Sequence, residues 1–161
     1  MKNILYATDM NPFSAHVLAY AVDIAQRCDG GITVVHALGA ASSWQKLSEQ
    51  QAFRREMIRK LEAMVAVDLQ ACEQGGRARI LAVCVEFGSA AEVILRMSRE
   101  EQADLVVMGS HGYPAERRTL GAVLKPVLNT CRVPVVVVPM PKSLSVSGWR
   151  PLGLVPTAGA L

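Results

Sequence analysis

Leu105-Val106-Val107-Met108-Gly109-Ser110-His111-Gly112 opens a stretch that continues through a polar loop, Tyr113 to Thr119, and Gly121. It closes on Val133-Pro134-Val135-Val136-Val137-Val138-Pro139. The two apolar runs show no polar alternation, the pattern of strands covered on both faces in a parallel sheet. Between them lie Pro114, the pair Arg117-Arg118, and a short amphipathic segment after Gly121 that reads as a helix. Gly109 and Gly112 lack a Cβ and so let backbone amides come close to a ligand. A helix opening near Gly121 directs unpaired N–H groups at that loop, which suits an anion. The stretch is a candidate phosphate cradle.

Upstream, Asn3 to Thr8 reads as a first strand that delivers Asp9 at its carboxyl end. Asn11-Pro12 reads as a helix start, with Asn11 as cap and Pro12 in the first position, where its missing N–H loses no bond. Val17, Leu18, Ala21, Val22, Ile24 and Ala25 recur at helical spacing until Asp29-Gly30-Gly31 stops the run. Ile32 to His36 is a β-branched second strand. A long helical stretch follows, about Trp44 to Glu73, with Phe53, Met57, Ile58, Leu61, Met64, Val65, Leu69 and Cys72 at helical spacing, before Gln74-Gly75-Gly76. Arg79 to Phe87 is a third strand. Ser89 then caps a helix from Ala90 to Glu101, with Glu92 completing a capping box.

The resulting order, βαβαβαβαβ, predicts an α/β domain in which helices cover both faces of a five-stranded parallel sheet. That domain takes up residues 1–140. From Pro141 to Leu161 the composition turns to Pro, Gly and Ser around an isolated Trp149, which suggests an extended arm or a disordered tail.

Composition supports one domain. The chain has 161 residues, 51% of them hydrophobic, and no apolar run approaches a membrane span, so the apolar excess belongs to buried strands. The first residues enter a strand directly, without a signal-peptide apolar region, and the expected location is cytoplasmic. A net charge of +3 and an aromatic share of 5% leave little for nucleic-acid binding. Cys28, Cys72, Cys84 and Cys131 lie far apart, and His16, His36 and His111 have no zinc-like spacing with them, so reduced thiols are expected and no metal.

In an open α/β sheet, ligands bind beyond the carboxyl ends of the strands, where strand order reverses. Asp9, His36 and the segment Gly109 to Gly112 all fall at such ends. If the first and fourth strands are neighbours, Asp9 and the glycine loop face one crevice. Asp9 would then accept hydrogen bonds from a ribose or base, or help to hold Mg²⁺; it would otherwise be a loop carboxylate beside a helix N-terminus. No nucleophile or paired carboxylate accompanies His111 or Ser110, so an enzyme is not expected.

From Met1 to Met140 the chain resembles the universal stress protein family. The resemblance rests on the opening strand ending in Asp9 and on Val34-Val35-His36. It rests above all on Met108-Gly109-Ser110-His111-Gly112, Gly121 and the Val133 to Pro139 strand. It implies a Rossmann-like sheet of strand order 3-2-1-4-5 and a cytosolic regulatory protein that binds ATP, with Mg²⁺, or a related adenine nucleotide. Asp9 and Val35 would flank adenine and ribose, and Gly109, Gly112 and Gly121 would carry the phosphates. Met108, His111, Arg118, Ala122 and Val123 complete the expected nucleotide site.

The family's ATP-binding members share two glycines, a loop, a third glycine and then Ser or Thr. Here the loop, Tyr113 to Leu120, is one residue shorter, Ala122 stands in place of the hydroxyl, and Pro126 falls early in the last helix. These departures keep a second reading open: an interaction module that acts through its dimer surface and tail without a nucleotide. The resemblance also implies a homodimer, paired through the edge strand Val133 to Val138.

Overall fold

The computed structural model describes residues 1–40, 46–72, 77–110 and 121–139. The elements are β1 (Asn3–Ala7), α1 (Ser14–Arg27), β2 (Gly31–Ala37), α2 (Leu47–Ala71), β3 (Ile80–Glu86), α3 (Ala90–Glu100), β4 (Leu105–Gly109), α4 (Leu124–Thr130) and β5 (Val135–Val138). All strand pairs are parallel and the sheet order is β3-β2-β1-β4-β5. β1 is central: Ile4 stands opposite Ile32 of β2 on one side and Leu105 of β4 on the other. The chain therefore reverses its direction of travel across the sheet between β1 and β4, which opens a crevice at their carboxyl ends.

The absence of alternation in the strands is explained by two cores. On one face, α1 and α2 place Leu18, Val22, Leu61 and Val65 on Ile4, Tyr6, Val34 and Val107. On the other, α3 and α4 place Val93, Ile94, Met97 and Val127 on Leu5, Val35, Val106 and Met108. Side chains one apart on β1 thus enter different cores, as a period of two requires.

Helix boundaries depart from the sequence reading in instructive ways. Asn11 does not cap α1; its Oδ1 accepts the Phe13 amide at 2.7 Å in a turn of its own, and the helix starts at Ser14. α1 ends on Asp29 in the left-handed region, φ 50°, with Gly30 N–H reaching back to the Ala25 carbonyl at 2.8 Å. α3 ends the same way on Gln102, φ 50°, with Ala103 N–H on the Ser98 carbonyl at 3.0 Å. Ser89 does cap α3: its Oγ accepts the Glu92 amide and donates to the Glu92 carboxylate at 2.7 Å.

On α2, Phe53 faces solvent, 51% exposed, where the spacing suggested core; Leu61 and Val65 are the positions that bury. Pro126 sits in the first turn of α4, counted from its Val123 cap, where an amide has no partner within the helix. The expected ends of α2 at Trp44 and Glu73, and the stop at Gln74-Gly75-Gly76, lie outside the described residues, as does the 141–161 segment. Among the described residues β5 pairs only with β4, which puts it at the edge of the sheet, as expected.

Candidate functional site

A cavity of about 240 Å³ opens at the carboxyl ends of β1 and β4. β1 runs into it with Ala7, Thr8 and Asp9, β2 with Val35 and Ala37, and β4 with Met108, Gly109 and Ser110. The turn before α4 closes one side with Gly121, Ala122 and Val123, and α3 supplies Ala90, Val93 and Ile94. Seven of the sequence-derived residues are thereby brought together: Asp9, Val35, Met108, Gly109, Gly121, Ala122 and Val123. His111, Gly112 and Arg118 lie outside the described residues. Asp9 is the one charged side chain among the described lining residues.

Half of the lining residues that sequence reasoning missed are on helices. Val93 and Ile94 belong to the apolar face of α3 and contribute both to the core and to the cavity wall. Ala37 carries a readable signal: it stands two residues beyond Val35 on the same strand and so faces the same way.

The Asp9 loop is held by hydrogen bonds on both sides. Thr8 N–H donates to the Val35 carbonyl at 3.0 Å, extending the β1–β2 pairing by one bond. Met10 has φ 58°, a conformation that costs a bulky residue about 1–2 kcal/mol. Its amide donates to Thr8 Oγ1 at 3.0 Å, which offsets part of that strain. His36 lies between Val35 and Ala37 on β2 but outside the cavity, and its Nδ1 is 2.9 Å from the Thr8 carbonyl oxygen.

Tyr6 and Ser14 also line the cavity: the buried Tyr6 hydroxyl donates to the Ser14 carbonyl at 2.9 Å, and the Ser14 hydroxyl donates to Asp68 Oδ2 of α2 at 2.8 Å. Burial pushes the Tyr6 phenol well above its ordinary pKa, so the ring acts as a neutral donor. Burial also raises the Asp68 carboxyl, against the hydrogen bond from Ser14. Beyond the crevice, Glu86 at the end of β3 takes Arg54 from α2 and Arg96 from α3, the latter at 3.3 Å. One carboxylate thus ties together helices from both faces of the sheet.

Gly121 at the mouth differs from a packing glycine such as Gly31, whose Cβ would run into the Leu81 side chain. A Cβ built on Gly121 would meet only the Ser110 carbonyl oxygen, at 3.9 Å, among the described residues. The described residues leave room there, as a glycine kept for the close approach of a ligand would need.

An open parallel sheet with an apolar crevice at its switch point defines an α/β domain of the doubly wound kind. The model of the Universal stress protein family matches residues 1–139, and the chain belongs to that family. A universal stress protein of Methanocaldococcus jannaschii is 29% identical over 151 residues, spanning 88% of this chain and 84% of that protein. Among solved structures, a universal stress protein in complex with cAMP matches with a TM-score of 0.65 at 19% identity, covering 85% of this chain and 96% of its own. The universal stress protein from Archaeoglobus fulgidus in complex with dAMP matches with a TM-score of 0.58 at 18% identity, covering 85% of this chain and 97% of its own. These two likenesses concern the fold. No helix among the described residues is long and apolar enough to cross a membrane.

Proposed function

We propose that this chain is a regulatory protein that binds an adenine nucleotide in the β1–β4 crevice, as a sensor and not as a catalyst. The observation that carries the reading is the meeting, in one cavity, of an apolar wall, a carboxylate and bare glycine backbone. Val35, Met108 and Val123 suit the flat faces of a base, Asp9 suits the hydroxyls of a ribose, and Gly109 and Gly121 suit phosphate oxygens. The solved relatives in complex with cAMP and dAMP support the adenine class. His111, Gly112 and Arg118 would add phosphate contacts from the loop.

ATP with Mg²⁺ is the fullest form of this proposal. Ala122 offers no hydroxyl to it, and a lost hydrogen bond to a charged group weakens binding by about 1.5–3 kcal/mol, roughly tenfold to a hundredfold. Among the described lining residues no second carboxylate or histidine stands beside Asp9 to activate a water, which favours binding without turnover. Titration calorimetry with AMP, cAMP and ATP–Mg²⁺ tests the reading. Heat and a thermal shift are expected, and neither effect at millimolar nucleotide would sink it.

The absence of a hydroxyl at Ala122 favours one alternative, an interaction module that works through its surface. In either case the edge position of β5, unpaired on its outer side among the described residues, supports a homodimer through Val133 to Val138, because an apolar strand edge is a template for another chain. Gel filtration at micromolar concentration should give the mass of two chains; the mass of one would defeat this. A cytoplasmic location, a domain of residues 1–140 and an arm of residues 141–161 complete the proposal.

A further inference from the structure

We infer that His36 is a positioning residue of this site, an anchor behind the cavity wall that sets the direction of the Thr8–Asp9 peptide. The inference rests on the nucleotide reading for its functional meaning and on geometry for its content. Val35 and Ala37 line the cavity and His36 does not. Alternation along β2 therefore turns the imidazole to the opposite face of the sheet, away from any ligand.

From there Nδ1 lies 2.9 Å from the Thr8 carbonyl oxygen. A carbonyl only accepts, so Nδ1 carries the proton and donates. In a trans peptide the C=O and the following N–H point in opposite directions. Holding the Thr8 carbonyl towards His36 thus also fixes the Asp9 amide and the Cα from which the Asp9 carboxylate extends.

The loop needs such an anchor. Met10 is in the left-handed region, φ 58°, which a long side chain avoids when free to relax. The restraints holding it in place converge on Thr8: its amide on Val35, its hydroxyl on the Met10 amide, and its carbonyl on His36. Strand pairing supplies the first and the turn itself the second. Among the described residues His36 is the one side chain from another strand. Removing it leaves the peptide plane of Thr8–Asp9 free to rotate and relieve Met10, which misdirects the charged group of the cavity.

Replacement by Asn and by Gln separates this role from simple packing. The Asn side-chain amide nitrogen occupies nearly the place of Nδ1, whereas that of Gln reaches nearer to Nε2. The experiment measures AMP affinity and exchange of the Met10 amide hydrogen in the wild-type protein and in three variants. His36→Ala and His36→Gln should weaken AMP binding roughly five- to tenfold and speed Met10 exchange by a similar factor. His36→Asn should stay within about twofold of wild type in both. Equal behaviour of the Asn and Gln variants, or an Ala variant with unchanged Met10 exchange, overturns the inference. Failure of the wild-type protein to bind AMP at millimolar concentration would reject the nucleotide reading instead, and Met10 exchange in the variants would still decide the anchor.

Discussion

At the amino-terminal end of the sheet, Asp104 accepts the amides of Lys2 at 2.5 Å and Asn3 at 3.0 Å. Asn3 in turn donates to the Glu101 carbonyl at 2.7 Å and accepts the buried Thr33 hydroxyl at 2.9 Å, so three strands are laced together. At the carboxyl end the same three strands line a cavity whose loop holds a strained Met10 and whose mouth includes Gly121. One end spends its polar groups on closure, and the other leaves them directed outward. In a parallel sheet every strand points the same way, so this division lets stability and binding change separately.

The largest effect expected from breaking that division is at the mouth. Gly121→Val has room among the described residues, where its Cβ would meet only an oxygen 3.9 Å away, but its side chain fills the space a phosphate needs. Nucleotide affinity should fall by at least roughly 100-fold, about 2.7 kcal/mol. The melting temperature should stay within about 2 °C. Calorimetry alongside thermal unfolding checks both. Unchanged affinity would place the ligand elsewhere.

Asn3→Ala is the mirror experiment. It leaves the Thr33 hydroxyl, wholly buried, without its acceptor, which costs about 2 kcal/mol and lowers the melting temperature by about 4–8 °C. Nucleotide affinity should stay within about twofold of wild type. A matching loss of affinity would mean that the two ends are not independent.

Much of this division was legible in the sequence because burial on both faces writes itself as uninterrupted apolar runs. Those runs located every strand to within a residue or two and put Asp9, His36 and the segment Gly109 to Gly112 at strand ends, whereas Val35 and Met108 entered through the family resemblance. Helix ends were less legible, since local side-chain chemistry decides them: Asn11 folds onto its own turn, and Asp29 and Gln102 adopt the left-handed geometry usually left to glycine. Phe53 shows that helical spacing marks a face without saying that anything covers it. Val93 and Ile94 escaped because a helix that lines a cavity has the same pattern as one that lines a core. The network of Tyr6, Ser14 and Asp68 joins residues far apart in the chain, and no local pattern announces it.

A smaller effect tests whether the division follows the ends of the sheet or individual residues. Ser89 caps α3 at the carboxyl end, one residue before Ala90 of the cavity wall. Ser89→Ala should cost about 1 kcal/mol of stability through the lost cap. It should change affinity little, because the cap bonds run to Glu92 and away from the cavity. A greater loss in binding than in unfolding free energy would extend the site to the start of α3.

The smallest effect is one of pH, and its sign differs between the two ends. The Asn3 and Lys2 amides hold the Asp104 carboxyl below the usual carboxylate range. Its contribution is therefore present above the unfolded pKa, about 4, and is lost as pH falls through the lower folded value. Asp68 has its folded pKa raised by burial, so its ionised form weighs against the fold at neutral pH, and that cost is relieved as pH falls through the raised value. Urea midpoints measured from pH 7 down to pH 3 should show the advantage of wild type over Asp104→Asn shrinking with acid. Over the same range, the standing of wild type relative to Asp68→Asn should improve. Asp104 is exposed, so solvent and salt keep its share small, and the comparison depends on direction more than size. Parallel trends in the two variants would show that the two carboxylates do not see different environments, and the contrast between a closed end and an open one would then rest on hydrogen-bond geometry alone.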